Sequence, residues 1–135
     1  TVAPAIAAMR PRGRGQTAIV ASVAGYRGRP RAAAYGATKA GLINLAESLR
    51  LDLEPHGILV QVVTPGFVDT PATRRNDFPM PFLMTVDAAA DRLVAGLGRS
   101  GFEITFPRRF AWLLKLLQRL PYALYFPLVR RATGL

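Results

Sequence analysis

Cysteine is absent from the 135 residues, which excludes disulfide bonds, thiolate catalysis and cysteine-ligated metal. Histidine occurs once, at His56, and one imidazole does not make a zinc site, so no metal is expected. Acids are scarce: 8 stand against 18 lysines and arginines, a net charge of +10. Lysine itself is rare, and only Lys39 and Lys115 are not arginine among those cations. No apolar run approaches the ~20 residues that a membrane-spanning helix needs. The opening residues carry no leader signal, so the expected location is the cytoplasm.

What remains is an arginine-rich, alanine-rich chain of one domain's length, half of it hydrophobic. That is enough apolar surface to bury a core. The positive charge speaks to solubility and non-specific attraction more than to fold. The arginines are spread (Arg10, Arg12 and Arg14, then Arg27, Arg29 and Arg31, then the tail) and few aromatics are interleaved with the first two groups. No nucleic-acid module is visible, so no specific nucleic-acid partner is expected.

The chain alternates strand and helix. Thr1 to Met9 reads as the end of a helix, closed by Pro11, Gly13 and Gly15. Thr17 to Ser22 is an apolar, β-branched run that predicts a buried parallel strand. Ala33 to Glu54 is the longest predicted helix, with Leu42, Leu45, Ala46, Leu49 and Leu53 as its buried stripe and Pro55-His56-Gly57 as its stop. His56 is a helix-end residue rather than a base, and Asn44 belongs to the helix surface or to an interface. Leu59 to Thr64 predicts a second buried strand. After a proline-rich segment, Thr85 with Asp87 caps a helix to about Leu97, and Phe102 to Phe106 predicts a third strand. Strand, helix, strand, helix, strand predicts an α/β fold with a parallel sheet and right-handed crossovers.

The chemistry gathers in Thr17 to Lys39. Ser22 ends its strand, where open α/β sheets place their ligand chemistry. Tyr35 and Lys39 lie four residues apart on a helix and so share a face. A free phenol, with a pKa near ~10, is a poor proton donor at neutral pH, and a cation one turn away favours its ionised form. A hydroxyl, a phenol and an ammonium converging there suggest proton transfer to or from an oxygen. The bland alternative is a buried tyrosine and a solvated lysine on an ordinary helix.

Ser22 lies thirteen positions before Tyr35, Ser22-Val23-Ala24-Gly25 matches SxAG, Tyr35 to Lys39 matches YxxxK, and Pro65-Gly66-Phe67-Val68-Asp69-Thr70-Pro71 matches PGxVxTP. In this order and spacing the chain resembles the short-chain dehydrogenases/reductases, most clearly over Thr17 to Leu97. The resemblance implies NAD(P)-dependent interconversion of a carbonyl and an alcohol, with Tyr35 as general acid/base. Lys39 would lower the phenol's pKa and bind the nicotinamide ribose, and Ser22 would hydrogen-bond the substrate oxygen. NAD or NADP would meet Tyr35, Lys39, Pro65, Gly66, Val68 and Thr70. The strands would be the fifth to seventh of a seven-stranded, Rossmann-like doubly wound sheet.

The chain departs from that family in what it lacks. No GxGxxG-type loop lies between a strand and a helix, so no phosphate cradle is present. The family's NNAG segment and its catalytic asparagine are absent too. The expectation is the C-terminal portion of one such domain, with a catalytic α/β part at 1–106 and a helical tail at 107–135. It is expected to be truncated and of doubtful activity by itself, with an unpaired edge on its first strand. A non-catalytic remnant whose tail binds a membrane surface or a partner is the alternative, and homo-oligomers through the long helix are a further implication of the resemblance.

Two segments keep open readings. The loop Arg74 to Met84 carries Phe78, Met80, Phe82 and Met84, which suit either a lid over a lipophilic substrate or packing against the tail. The tail mixes Trp112, leucines, Tyr122, Tyr125 and Phe126 with basic residues and no acid. That composition suits a helix lying on anionic lipid as a peripheral membrane contact, a cover for the substrate pocket, or a dimer contact.

Overall fold

Ile58–Pro65 forms the central strand, β2, because its apolar and β-branched residues are buried on both faces. The computed structural model describes residues 2–134. In chain order the elements are α1 (Val2–Met9), β1 (Gly15–Val20), α2 (Ala33–Leu53), β2, α3 (Val86–Leu97), β3 (Glu103–Phe106), α4 (Arg108–Gln118) and α5 (Tyr122–Thr133). The sheet is parallel throughout, in the order β1-β2-β3, with Val20 opposite Val63 and Pro65 opposite Phe106. The α/β reading holds.

Alternation along β2 divides the core in two. Val62, with Ile19 and Ala21, packs against Ala46, Leu42, Ile43 and Leu49 of α2, and Ile58 and Val60 pack with Leu53 and with Ile6 and Met9 of α1. Val63, with Ile104 and Phe106, faces Ala89, Leu93 and Leu97 of α3. Successive crossovers that step the same way across the sheet therefore put their helices on opposite faces, and so have opposite hands. The uniform right-handedness expected from the sequence does not hold. The bias belongs to short connections that feed a helix straight from a twisted strand; here the irregular segment 66–85 separates β2 from α3.

Three details differ from the sequence reading. β1 starts two residues earlier than expected and is only partly buried, with Val20 55% exposed; within the described residues it pairs on one side only. Leu45 lies at the margin of the α2 stripe and is exposed, whereas Ile43 replaces it against the sheet. The tail expected at 107–135 is two helices, α4 and α5, parted before Pro121, with Pro127 inside the second. The helix continues past the lost donor because Tyr125, 4% exposed, anchors that turn.

Candidate functional site

At the end of β1 the chain enters a 3-10 turn, Val23–Gly25, capped by Ser22, whose Oγ accepts from the Ala24 N–H at 3.1 Å. The same hydroxyl donates to the Pro65 carbonyl at 3.4 Å, joining the carboxyl ends of β1 and β2. Ser22 is buried. The turn lies directly against α2. A Cβ on Gly25 would stand 2.7–2.8 Å from the backbone of Lys39 and Ala40, and one on Gly36 would stand 3.3 Å from the Ala24 carbonyl. Only glycine permits the first of these approaches. The SxAG glycine thus sets the serine turn against the helix that bears Tyr35 and Lys39.

On α2, Lys39 Nζ donates to the Val20 carbonyl at 3.1 Å and lies 5.7 Å from the centre of the Tyr35 ring. The ammonium therefore bridges the end of β1 and the phenol, as spacing on one helical face predicts. Tyr35 is 54% exposed and its hydroxyl has no hydrogen-bond partner among the described residues. Arg29, in the intervening loop, is a second cation in this neighbourhood. Burial holds its guanidinium below the ordinary value, with Tyr125 and Tyr35 opposing that fall.

The segment after β2 is held from both sides. The Gly66 N–H donates to the Phe106 carbonyl at 2.7 Å. Thr73 gathers the PGFVDTP stretch: its Oγ1 donates to the Val68 carbonyl at 2.5 Å and accepts from the Thr70 N–H at 2.9 Å. Thr70 Oγ1 lies 3.1 Å from the same hydroxyl. Asp69 pairs with Arg74 at 2.7 Å, and the guanidinium lowers the carboxyl's pKa. Val68 bridges Met84, which pins the far end of the loop beside its beginning.

The loop aromatics meet the tail. Phe82 stacks near Phe110 of α4 at 5.7 Å between centres, and Phe67 lies 5.8 Å from Phe110 and 6.0 Å from Phe78. Phe78 and Phe82 remain partly exposed. Packing against the tail is therefore present, and apolar surface is left over. A cavity of about 660 Å³ runs along β3 and the start of α4, with Phe82, Met84, Arg92, Arg99 and Arg108 in its wall. Ser22, Tyr35 and Lys39 do not border it.

Two residues between the serine and the tyrosine escaped sequence reasoning because their partners lie far along the chain. Tyr26 donates to Glu103 Oε1 at 2.5 Å, with Thr64 Oγ1 at 2.9 Å, and Lys115 of α4 closes an ion pair on the other oxygen of Glu103. Burial, then the hydrogen bond to Glu103, pushes the Tyr26 phenol up to about 12. Arg27 donates to the carbonyls of Leu117, Gln118 and Leu120 at 2.7–3.0 Å, and its guanidinium stacks 3.7 Å over Tyr125. Tyr125 in turn donates to the Gly28 carbonyl at 2.7 Å. The basic loop is thus the clasp for the tail.

A parallel α/β sheet with this serine turn and this Tyr/Lys helix has clear relatives. Residues 1–78 match the family model described as short chain dehydrogenase, and the chain belongs to that family. An uncharacterized oxidoreductase of Myxococcus xanthus is 39% identical over 131 residues, 97% of this chain and 52% of that protein. A short-chain dehydrogenase of Sphingobium yanoikuyae, solved in complex with NADPH, superposes with a TM-score of 0.71 at 28% identity, over 90% of this chain and 52% of that one. The bulky-bulky ketone specific alcohol dehydrogenase of Comamonas testosteroni gives 0.67 at 28% identity, over 90% and 49%. The chain spans about half the length of these relatives.

Proposed function

We propose that the chain carries the proton-transfer half of an NAD(P)-dependent oxidoreductase acting on a carbonyl/alcohol pair. The observation that carries this reading is Lys39, anchored on the end of β1 and placed one helical turn from a phenol that is otherwise free. Tyr35 would give its proton to the carbonyl oxygen during reduction or take it from the alcohol in reverse. The Lys39 ammonium stands 5.7 Å from the centre of that phenol ring. Ser22, turned by its Ala24 bond, would donate to the same substrate oxygen and stabilise the charge that grows there.

The residues present suit the nicotinamide end of a dinucleotide, which supplies the hydride when bound. Lys39 and Tyr35 would meet its ribose, and Pro65, Gly66, Val68 and Thr70 would border its ring. Thr73 holds that segment in shape, as its contacts to Val68 and Thr70 allow. The Sphingobium relative's NADPH supports a dinucleotide of this class, and the ketone-specific Comamonas enzyme supports a carbonyl substrate. A lipophilic substrate fits the leftover apolar surface of Phe78, Met80, Phe82 and Met84. The catalytic part would be 1–106, with 107–135 as its cover. Pairing of two copies along α2 belongs to the same reading.

Titrating the purified chain with NADPH and NADH tests it. A ligand that binds only the folded state raises the melting temperature by mass action. Saturable stabilisation that is lost in Lys39→Ala is the expected outcome. A folded sample that neither cofactor stabilises would favour a non-catalytic remnant.

A further inference from the structure

The outward face of the tail is the largest feature that the catalytic reading leaves unused. On α4, Phe110 and Ala111 point inward and are buried, whereas Trp112 is 72% and Leu116 64% exposed. At a helical pitch of 100° per residue, Arg108 and Arg119 flank these two on one side and Arg109 on the other. On α5, only Tyr125 is buried, and Tyr122, Leu124, Phe126 and Leu128 are all about half-exposed or more. Arg130 and Arg131 continue those exposed rows. An ordinary surface helix turns its polar face outward. Here the outward face of α4 is aromatic and leucine-rich, edged with arginine, and α5 exposes Tyr122 and Phe126 on one flank and Leu124 and Leu128 on the other.

Charge decides what covers it. Residues 108–133 contain no aspartate or glutamate. Lys115 is taken up by Glu103, while Arg108, Arg109, Arg119, Arg130 and Arg131 enter no ion pair among the described residues. A second copy of this chain would bring the same unpaired cations face to face, and like charges brought together in an interface repel. A surface that is apolar within and negative at its rim complements the tail. An anionic bilayer is such a surface, with acyl chains beneath acidic headgroups.

We propose that α4 and α5 form a docking surface for anionic lipid bilayers, with Trp112 and Leu116 entering the acyl boundary and the arginines meeting the headgroups. Among the described residues no helix is long and apolar enough to cross a membrane, so the contact is peripheral. Arg27 donates to the Leu120 carbonyl just after α4 and stacks on Tyr125 of α5, which donates to the Gly28 carbonyl, so this loop holds both helices in place. The surface does not depend on the catalytic reading and survives its failure.

The sequence supplies the probe, because Trp112 is its only tryptophan. The purified chain is mixed with vesicles of phosphatidylglycerol and phosphatidylcholine in equal parts, and separately with phosphatidylcholine alone. The proposal expects a blue-shifted Trp112 emission and quenching by brominated acyl chains with the anionic vesicles only, weakening as salt is raised. Replacing three tail arginines (Arg108→Gln, Arg109→Gln and Arg119→Gln) should lower partitioning by about fivefold each, on the order of a hundredfold together. The matched set Arg10→Gln, Arg12→Gln and Arg14→Gln removes equal charge elsewhere and should keep the blue shift. Equal losses in the two sets would overturn the proposal. So would unshifted, unquenched emission from the unmodified, vesicle-bound chain, a readout that needs no variant to fold. A blue shift that grows with protein concentration without lipid would assign the face to self-association instead.

Discussion

Tyr26 shows how a side chain can organise this site without touching its chemistry. Its hydroxyl reaches Thr64 of β2 and Glu103 and Thr105 of β3, which ties the two neighbouring strands together. Burial and the carboxylate both disfavour its ionised form, so the folded chain holds the Tyr26 proton up to about pH 12, against 10.0 for the free phenol. The sign follows from linkage. Unfolded chains lose this proton first as pH rises, so the contribution is full below about pH 10 and is lost between there and about 12. Tyr26→Phe should cost about 1 kcal/mol at neutral pH, since Glu103 and Thr64 lose a partner. Denaturant titrations at pH 8 to 12 should show the gap between Tyr26→Phe and the unmodified chain narrowing above about pH 10; parallel curves would refute the assignment. None of this was visible in the sequence, because Tyr26 and Glu103 are 77 positions apart. Ser22, Tyr35 and Lys39 were visible, since helical and strand periodicity fix their placement over short spans.

Helix ends, rather than helix middles, are where this chain uses its distant polar residues. The end of α3 and the loop after it are met by the sheet: Gln16 Nε2 donates to the Leu97 carbonyl, and Gln61 Nε2 to those of Arg99 and Gly101, at 2.8–2.9 Å. Gln61 is fully buried in a run of valines, and only its partners explain it. Arg27 plays the same part for α4. The orphan carbonyls of a helix end need donors, and the guanidinium supplies three contacts while stacking on Tyr125. The sequence showed the periods that make α2 and α3, and it showed the glycines and prolines that end them. It gave no sign that an arginine in a loop belongs to a helix 90 residues later. Arg27→Ala should therefore loosen α4 and α5 by about 2 kcal/mol, the range for charged hydrogen bonds. Hydrogen exchange should read this as roughly thirtyfold faster exchange in those helices. Amides of β2 should be unchanged. Arg27→Lys, which keeps the charge but not the planar fork, should fall between. Uniform acceleration across the sheet would mean the clasp is part of global folding.

At the scale of the whole molecule, little of the +10 net charge is neutralised by ion pairs. Four ion pairs involve the 18 basic side chains among the described residues, and the Arg31–Asp77 pair is stretched to 4.0 Å. The others are Arg50–Glu54, Arg74–Asp69 and Lys115–Glu103. In each of the first two one partner is largely exposed, Glu54 at 61% and Arg74 at 67%, and such pairs contribute little. Most arginines instead face water or one another across a small domain: Arg10, Arg12 and Arg14 at the end of α1, and the tail set on α4 and α5. Net charge far from zero destabilises the compact state through self-repulsion. Added salt screens that repulsion over ~10 Å at 0.1 M. The few attractive pairs are screened as well, but they are outnumbered. The melting temperature should therefore rise as sodium chloride is increased from about 0.01 M to about 0.3 M, where the Debye length falls severalfold. Sodium chloride is the right probe, because sulfate would add its own effect on burial. The rise should shrink when Arg10, Arg12 and Arg14 are replaced by glutamine, since that removes three like charges and breaks no ion pair. A melting temperature that falls with salt would mean the four pairs outweigh the repulsion, and that the arginines are better spaced than their number suggests.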